Sequence, residues 1–249
     1  MKRRFDPQSP ELMDRPQPAT PALRDTLANL ASLNAHFGSH RLVRRFLGGW
    51  LNPGRCYRVL DLCTGAGDIP RLMLDWARSR DIVLRIDAVD ANPSTVQIAI
   101  EQSADYPEIR YSTADVLKYE GPESYDLVCC SLALHHFSET DAVRLLQRCR
   151  ELSHHYVLVS DLERSVPATV GIWALTALLY TEEMTRVDGR LSAQRAFSFR
   201  EFRGLAESAG WPDFGHARFL WCRQALWLDS RKFEPIAEEA ISASMPSPA

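Results

Sequence analysis

Short apolar runs in this chain end repeatedly on residues that can bind a ligand. YRVLDLCTGAGDIP, residues 57–70, closes one run on Asp61 and follows it with Gly65 and Gly67. AVDANPS closes a second run on Asp90, with Ala91 beside it, and STADVL places Asp115 and Val116 after a third. A fourth run ends at Ser131 and leads into SLALHHF, which carries His135 and His136. Glycine allows a backbone to approach a ligand closely. An acid at the glycine loop suits a positive group and repels a pyrophosphate. The chemistry indicated at the glycine loop is recognition of a ligand that carries a positive group and no pyrophosphate.

Each feature alone has a structural reading. Gly65 and Gly67 could make a tight turn, Asp90 could cap the helix that Asn92-Pro93 begins, and Asp115 could close a surface turn. Their order along the chain favours a site. Pro70 occupies the third position of the dinucleotide glycine fingerprint, which counts with Asp61 against a nucleotide-dependent dehydrogenase.

The elements that position these residues follow from the hydrophobic pattern. Runs at 57–62, 83–89, 109–113, 125–131 and 155–160 are short, apolar and bounded by turn residues, as buried parallel strands are. Helical patterns at 69–80, 93–104 and 139–152 separate them, which implies βαβ units and a doubly wound α/β sheet. Residues 1–21 are rich in proline and polar residues and read as a flexible arm. Residues 22–54 read as N-terminal helices ended by Gly48, Gly49 and Asn52-Pro53-Gly54. Residues 55–232 read as the main domain. Within it, residues 167–187 form a strongly apolar helix closed by Asp188-Gly189, part of a helical cap inserted at about 165–195. Ser198 and Glu201 fit a capping box for a helix over 198–211. Residues 214–228 read as one or two final strands, and 233–249 as a tail whose end, SASMPSPA, reads as disordered.

Composition bounds the partners. The 249 residues hold 45% hydrophobic and 24% charged residues with a formal net charge of −3, an ordinary balance that gives no push toward nucleic acid. The longest apolar run, VGIWALTALLY, is too short to span a bilayer, so no stable membrane insertion is expected. The six cysteines have no metal-type spacing, and no metal site is expected. They read as reduced thiols of a cytoplasmic protein. RLVRRFLGGW could touch a membrane surface, or be an ordinary amphipathic helix. A homodimer stays open.

Asp61, the glycines, Asp90 and Asp115 at successive strand ends resemble the class I S-adenosylmethionine-dependent methyltransferases over roughly residues 55–162. That resemblance implies a Rossmann-like, seven-stranded sheet with an antiparallel last strand. It implies S-adenosyl-L-methionine as cofactor, held by Asp61, Gly65, Gly67, Asp90, Ala91, Asp115, Val116 and Ser131. Asp90 would take the ribose hydroxyls, and Asp115 and Val116 the adenine. Cys63 stands where the family usually has its first glycine. Cys63, Asp68 and Asn92 are similar to the quinone-biosynthesis branch.

The acceptor is read from what surrounds that site. His135 and His136 are candidate general bases, with a scaffold role as the alternative. Asp161 and Arg164 follow the fifth strand and could orient an acceptor, or form a surface ion pair. His154 and His155 are expected before that strand, in structural roles. Trp173, Leu175, Leu178, Leu179 and Tyr180 would cover the site if the cap folds over it, with His36, Phe37 and His40 on a second wall. The expectation is O-methylation of a small apolar or aromatic acceptor such as a phenol, quinol or polyketide-like ring. C-methylation of a quinol precursor and a non-catalytic cofactor-binding module are the alternatives.

Overall fold

Strands of parallel sheets that are covered on both faces lose the polar–apolar alternation of half-exposed strands. β1 (Cys56–Leu62) has this character, with Val59, Leu60 and Leu62 fully buried. The structure is a computed structural model that describes residues 2–121, 124–180 and 182–230. β1 pairs in parallel with β2 (Val83–Asp90) and β4 (Tyr125–Ser131). β3 (Ile109–Thr113) extends the sheet beside β2, and β5 (Ser153–Leu162) lies beside β4. β7 (Arg223–Asp229) is antiparallel to β5, and β6 (Gly215–Phe219) is antiparallel to β7. The seven-stranded order is β3-β2-β1-β4-β5-β7-β6, the fold class expected. Strand order reverses between β1 and β4, and such a reversal opens a crevice at the carboxyl ends of the strands.

The pleat sends alternate residues of β1 into two cores. Leu60 and Leu62 pack with Leu145 and Leu146 of α5 (Glu139–Leu152) and with Phe202 of α8 (Phe199–Ser208). Tyr57 and Val59 pack with α2 (Ser39–Trp50) and α3 (Asp68–Arg78). There Trp50 stacks on Tyr156 at 4.6 Å, and the tyrosine hydroxyl donates to the Trp50 carbonyl. α4 (Pro93–Gln102) covers β2 and β3. Ser198 and Glu201 do form the capping box of α8.

Several boundaries differ from the sequence expectation. The N-terminal helices are α1 (Pro21–His36) and α2, parted at Gly38, whose φ of 91° suits glycine. Gly48 and Gly49 do not end α2 but lie within it. The helix expected over 167–187 is two, α6 (Val166–Leu179) and α7 (Glu183–Arg195). The second starts where the Glu182 carboxylate accepts the N–H groups of Met184 and Thr185. Asp188 and Gly189 therefore lie inside α7 and close nothing. His154 and His155 belong to the amino end of β5 rather than preceding it.

The proline-rich arm is packed on the molecule. Leu12–Asp14 form a 3-10 turn whose first two N–H groups donate to the Asp188 carboxylate at 2.7 and 3.0 Å. Arg3 donates to the carbonyls of Arg195, His135 and Phe137. Charged hydrogen bonds fix this segment, so its polar composition concealed the order. The tail expected over 233–249 lies outside the described residues. No helix among the described residues is long and apolar enough to cross a membrane.

Candidate active site

The turn from β1 into α3 puts three residues in the left-handed region, Cys63 at φ 58°, Gly65 at 55° and Gly67 at 75°. Cys63 thus adopts a conformation that favours glycine. A Cβ on Gly67 would meet the Tyr111 hydroxyl at 2.1 Å, whereas one on Gly65 would meet nothing within 4 Å. Both Cys63 and Gly65 line a cavity of about 980 Å³ at the carboxyl ends of the strands.

Asp61 ends β1 in the same cavity. It is buried, and its Oδ1 has no hydrogen-bond partner. Burial, with the charges of Asp68 and Asp90 and against the nearby Thr64 hydroxyl, lifts its pKa to about 7. A buried carboxylate with an unused oxygen is suited to a cation. Asp90 ends β2. Its Oδ2 accepts the Gly65 N–H and its Oδ1 the Asn92 N–H, both at 2.9 Å. Burial raises its pKa, and these hydrogen bonds work against that rise. Each oxygen retains capacity for another donor. Ala91, Asp115, Val116 and Ser131 line the same cavity. Asp115 accepts the Leu117 N–H at 3.0 Å, and Ser131 receives the Ser160 hydroxyl at 3.3 Å. The fold therefore brings all eight expected cofactor residues except Gly67 onto one cavity wall, and Gly67 caps α3 behind it.

Helices roof the cavity. Leu30, Leu33 and Phe37 face it from α1, and Ile172 and Leu175 from α6. Phe37 also meets Trp221 edge-on at 5.5 Å. His40 and Asn34 hold the Asp68 carboxylate at 3.1 and 3.0 Å, while His36 faces solvent. Two acceptor residues expected from sequence are elsewhere. Trp173 is 56% exposed on the outer face of α6, beneath the Arg190 guanidinium, and Leu178 and Leu179 are exposed too. Arg164 is buried away from the cavity. It donates to the Ala196 carbonyl at 2.6 Å and to Glu201 at 2.9 Å, so it anchors the end of the cap to α8. The cation that does line the cavity is Arg223, buried and donating to Ser39 at 2.9 Å.

The histidine pair meets three carboxylates. His135 Nδ1 is 2.7 Å from Asp161 Oδ1, and the His135 N–H donates to Asp161 Oδ2 at 2.9 Å. His136 Nδ1 is 2.7 Å from Asp14 Oδ2. Glu11 lies beside both rings and is almost fully buried. Burial opposes charge on His136, but Glu11 and Asp14 outweigh it and raise its pKa to about 10. These carboxylates thus favour the protonated ring in the ligand-free chain. Glu11 and Asp14 were missed in the sequence because they sit on the arm, with 122 residues separating Asp14 from His136.

Residues 59–154 match the family model of a methyltransferase domain. Over this segment, 96 of the 249 residues, the chain is similar to a methyltransferase domain. No curated protein matches the chain in sequence. Solved structures show the fold. Human N-acetylserotonin methyltransferase in complex with S-adenosylmethionine aligns with TM-score 0.60 at 16% identity, over 83% of this chain and 55% of that one. An S-adenosylmethionine-dependent methyltransferase of Aquifex aeolicus aligns with 0.57 at 15% identity, over 82% and 96%. The plantazolicin methyltransferase BpumL with S-adenosylhomocysteine aligns with 0.63 at 11% identity, over 84% and 90%. The chain spans 55% of the human protein and 58% of a similar Nostoc punctiforme chain.

Proposed function

We propose that this protein is an S-adenosylmethionine-dependent methyltransferase that transfers a methyl group to an oxygen of a small apolar or aromatic acceptor held beneath α1 and α6. The observation that carries the acceptor class is the roof of the cavity, where Leu30, Leu33, Phe37, Ile172 and Leu175 face inward. Such a surface favours an apolar ring and excludes water from it.

The residues at the strand ends fit the cofactor. Asp61, with its unpartnered buried oxygen, would take the ammonium of the methionine part. Asp90 would accept the ribose hydroxyls with its remaining lone pairs, and Gly65 leaves open space for close approach. Asp115 and Val116 would border the adenine. The cofactor, when bound, supplies an electrophilic methyl group. The chain's part is to hold the acceptor oxygen in line with it, and positioning of this kind can account for several kcal/mol of barrier lowering, on the order of 7–11 in favourable cases. Glu11, His135 and His136 lie on the wall that the polar end of the acceptor would face.

The reading is tested by incubating the protein with S-adenosylmethionine and a panel of phenols, quinols and polar amines. Gain of one methyl group on an apolar phenol, located on oxygen by NMR and suppressed by Leu175→Asp, supports it. Transfer confined to polar amines, or insensitive to Leu175→Asp, contradicts it. Methyl on ring carbon would favour the quinol C-methylation alternative.

A further inference from the structure

Glu11 comes from the arm and His135 and His136 from the turn after β4, and all three line the cavity. Each offers one ligand atom, and these atoms lie within 4.8 Å of one another. His135 Nε2 is 3.9 Å from Glu11 Oε1, and His136 Nε2 is 4.0 Å from Glu11 Oε2. Two ligands each about 2.1 Å from one ion stand no more than about 4.2 Å apart, so the three side chains close in by a few tenths of an ångström when an ion binds. We propose that Glu11, His135 and His136 form a binding site for a divalent first-row transition-metal ion whose open side faces the cavity.

The groups behind the ligands provide a separate argument. A metal-binding imidazole usually gives its other ring nitrogen to a carboxylate, which fixes the tautomer and aims the ring. Both rings here have that support, His135 from Asp161 and His136 from Asp14, each at 2.7 Å from Nδ1. Each ring is thereby left to present Nε2, and both Nε2 atoms point at the same carboxylate. Glu11 is oriented too, since the Ser192 hydroxyl donates to both of its oxygens, at 2.9 and 3.0 Å. Asp14 and Glu11 are both fixed by the arm, so the folding of that segment over the sheet edge is what completes the set.

Two imidazoles and one carboxylate suit zinc, iron, cobalt or nickel better than magnesium or calcium, which prefer oxygen alone. Arg195 also approaches Glu11, at 4.0 Å from Oε1, and is tied to the carbonyls of Asp6 and Ser9. It offsets part of the carboxylate charge without supplying a ligand atom. An oxygen of the acceptor could complete the coordination from the cavity. That last point rests on the acceptor reading above, whereas the ion site does not.

The test uses the full chain stripped with a chelator and titrated with Zn2+ alone, then with Co2+ alone. One equivalent of Zn2+ should bind at micromolar concentration or below, and Co2+ should give ligand-field absorption bands that Zn2+ abolishes. His136→Ala and Glu11→Gln should each weaken Zn2+ binding at least about 100-fold, and Asp14→Asn about 10–100-fold. Circular dichroism checks the fold of each variant. If Glu11→Gln does not fold, His136→Gln carries the same test at a less buried position. Absence of Zn2+ binding at millimolar concentration, or equal binding by the folded variants, overturns the proposal. The titration needs neither cofactor nor acceptor, so its failure leaves the acceptor reading intact, and a failed acceptor screen leaves the ion site intact.

Discussion

The Gly65 N–H donates to Asp90 Oδ2 at 2.9 Å, tying the loop after β1 to the end of β2. One carboxylate therefore shapes the glycine loop and offers its other lone pairs to the cavity. Asp90→Ala removes both functions. Charge-assisted hydrogen bonds are each worth about 1.5–3 kcal/mol, so S-adenosylmethionine affinity should fall by about 100-fold or more. The fold should persist, with a lowered thermal midpoint. Calorimetric titration and thermal denaturation check the two effects, and unchanged affinity would remove Asp90 from the site.

Asp61 gives a pH dependence of defined sign. Its pKa is raised by burial to about 7. Between the ordinary carboxylate value and about 7, the folded chain keeps a proton that the unfolded chain has lost, so this group's contribution to stability falls as pH rises through that window. Asp61→Asn should flatten the fall and make the ligand-free variant more stable than wild type at mildly alkaline pH. Cofactor binding should show the reverse, because only the carboxylate attracts an ammonium. Wild-type affinity should rise toward about pH 7, and the variant should bind weakly throughout. Thermal melts and titrations over the same pH series measure both.

Gly65 and Gly67 should separate binding from stability. Alanine in the left-handed region costs about 1–2 kcal/mol at either position. At Gly67 the methyl would also strike the Tyr111 ring, so Gly67→Ala should lower the thermal midpoint by several degrees more than Gly65→Ala. Gly65→Ala meets open space in the ligand-free chain. Its main effect should be loss of cofactor affinity. A larger drop in midpoint for Gly65→Ala would contradict this account of the loop.

Arg164 should matter for stability alone. Arg164→Met breaks a buried ion pair whose partner, Glu201, is 38% exposed at its side chain. Solvent screening of that partner reduces the loss to about 1–3 kcal/mol. Cofactor affinity should not change. A cofactor defect without loss of thermal stability would return Arg164 to the site.

The wall proposed to hold the cofactor was legible in the sequence because it is local. Asp61, Gly65 and Gly67 belong to one strand–helix turn, and Asp90 and Asp115 sit at the ends of neighbouring strands. A parallel sheet places all strand ends of that kind on one edge. The acceptor side depends on contacts between distant segments. Nothing periodic links Asp14 to His136 or Asp188 to Leu12, and charge rather than apolar burial holds the arm. α6 is apolar around most of its circumference, so its pattern could not tell that Leu175 faces inward and Trp173 outward. Arg164 and Arg223 illustrate the same limit. Both lie near strand ends, and only the carbonyl of Ala196 and the Glu201 carboxylate show that Arg164 turns away from the cavity.

The central claim is that the cavity at the carboxyl edge of β1, β2 and β4 holds S-adenosylmethionine through Asp61 and Asp90. The most direct measurement is calorimetric titration of the purified chain with S-adenosylmethionine and S-adenosylhomocysteine, with NAD as the control ligand. Binding of both sulfur nucleosides at micromolar concentration, with no response to NAD and loss of binding in Asp61→Asn and Asp90→Ala, is the expected result. Failure of both to bind, or binding unaffected by the two substitutions, would contradict it.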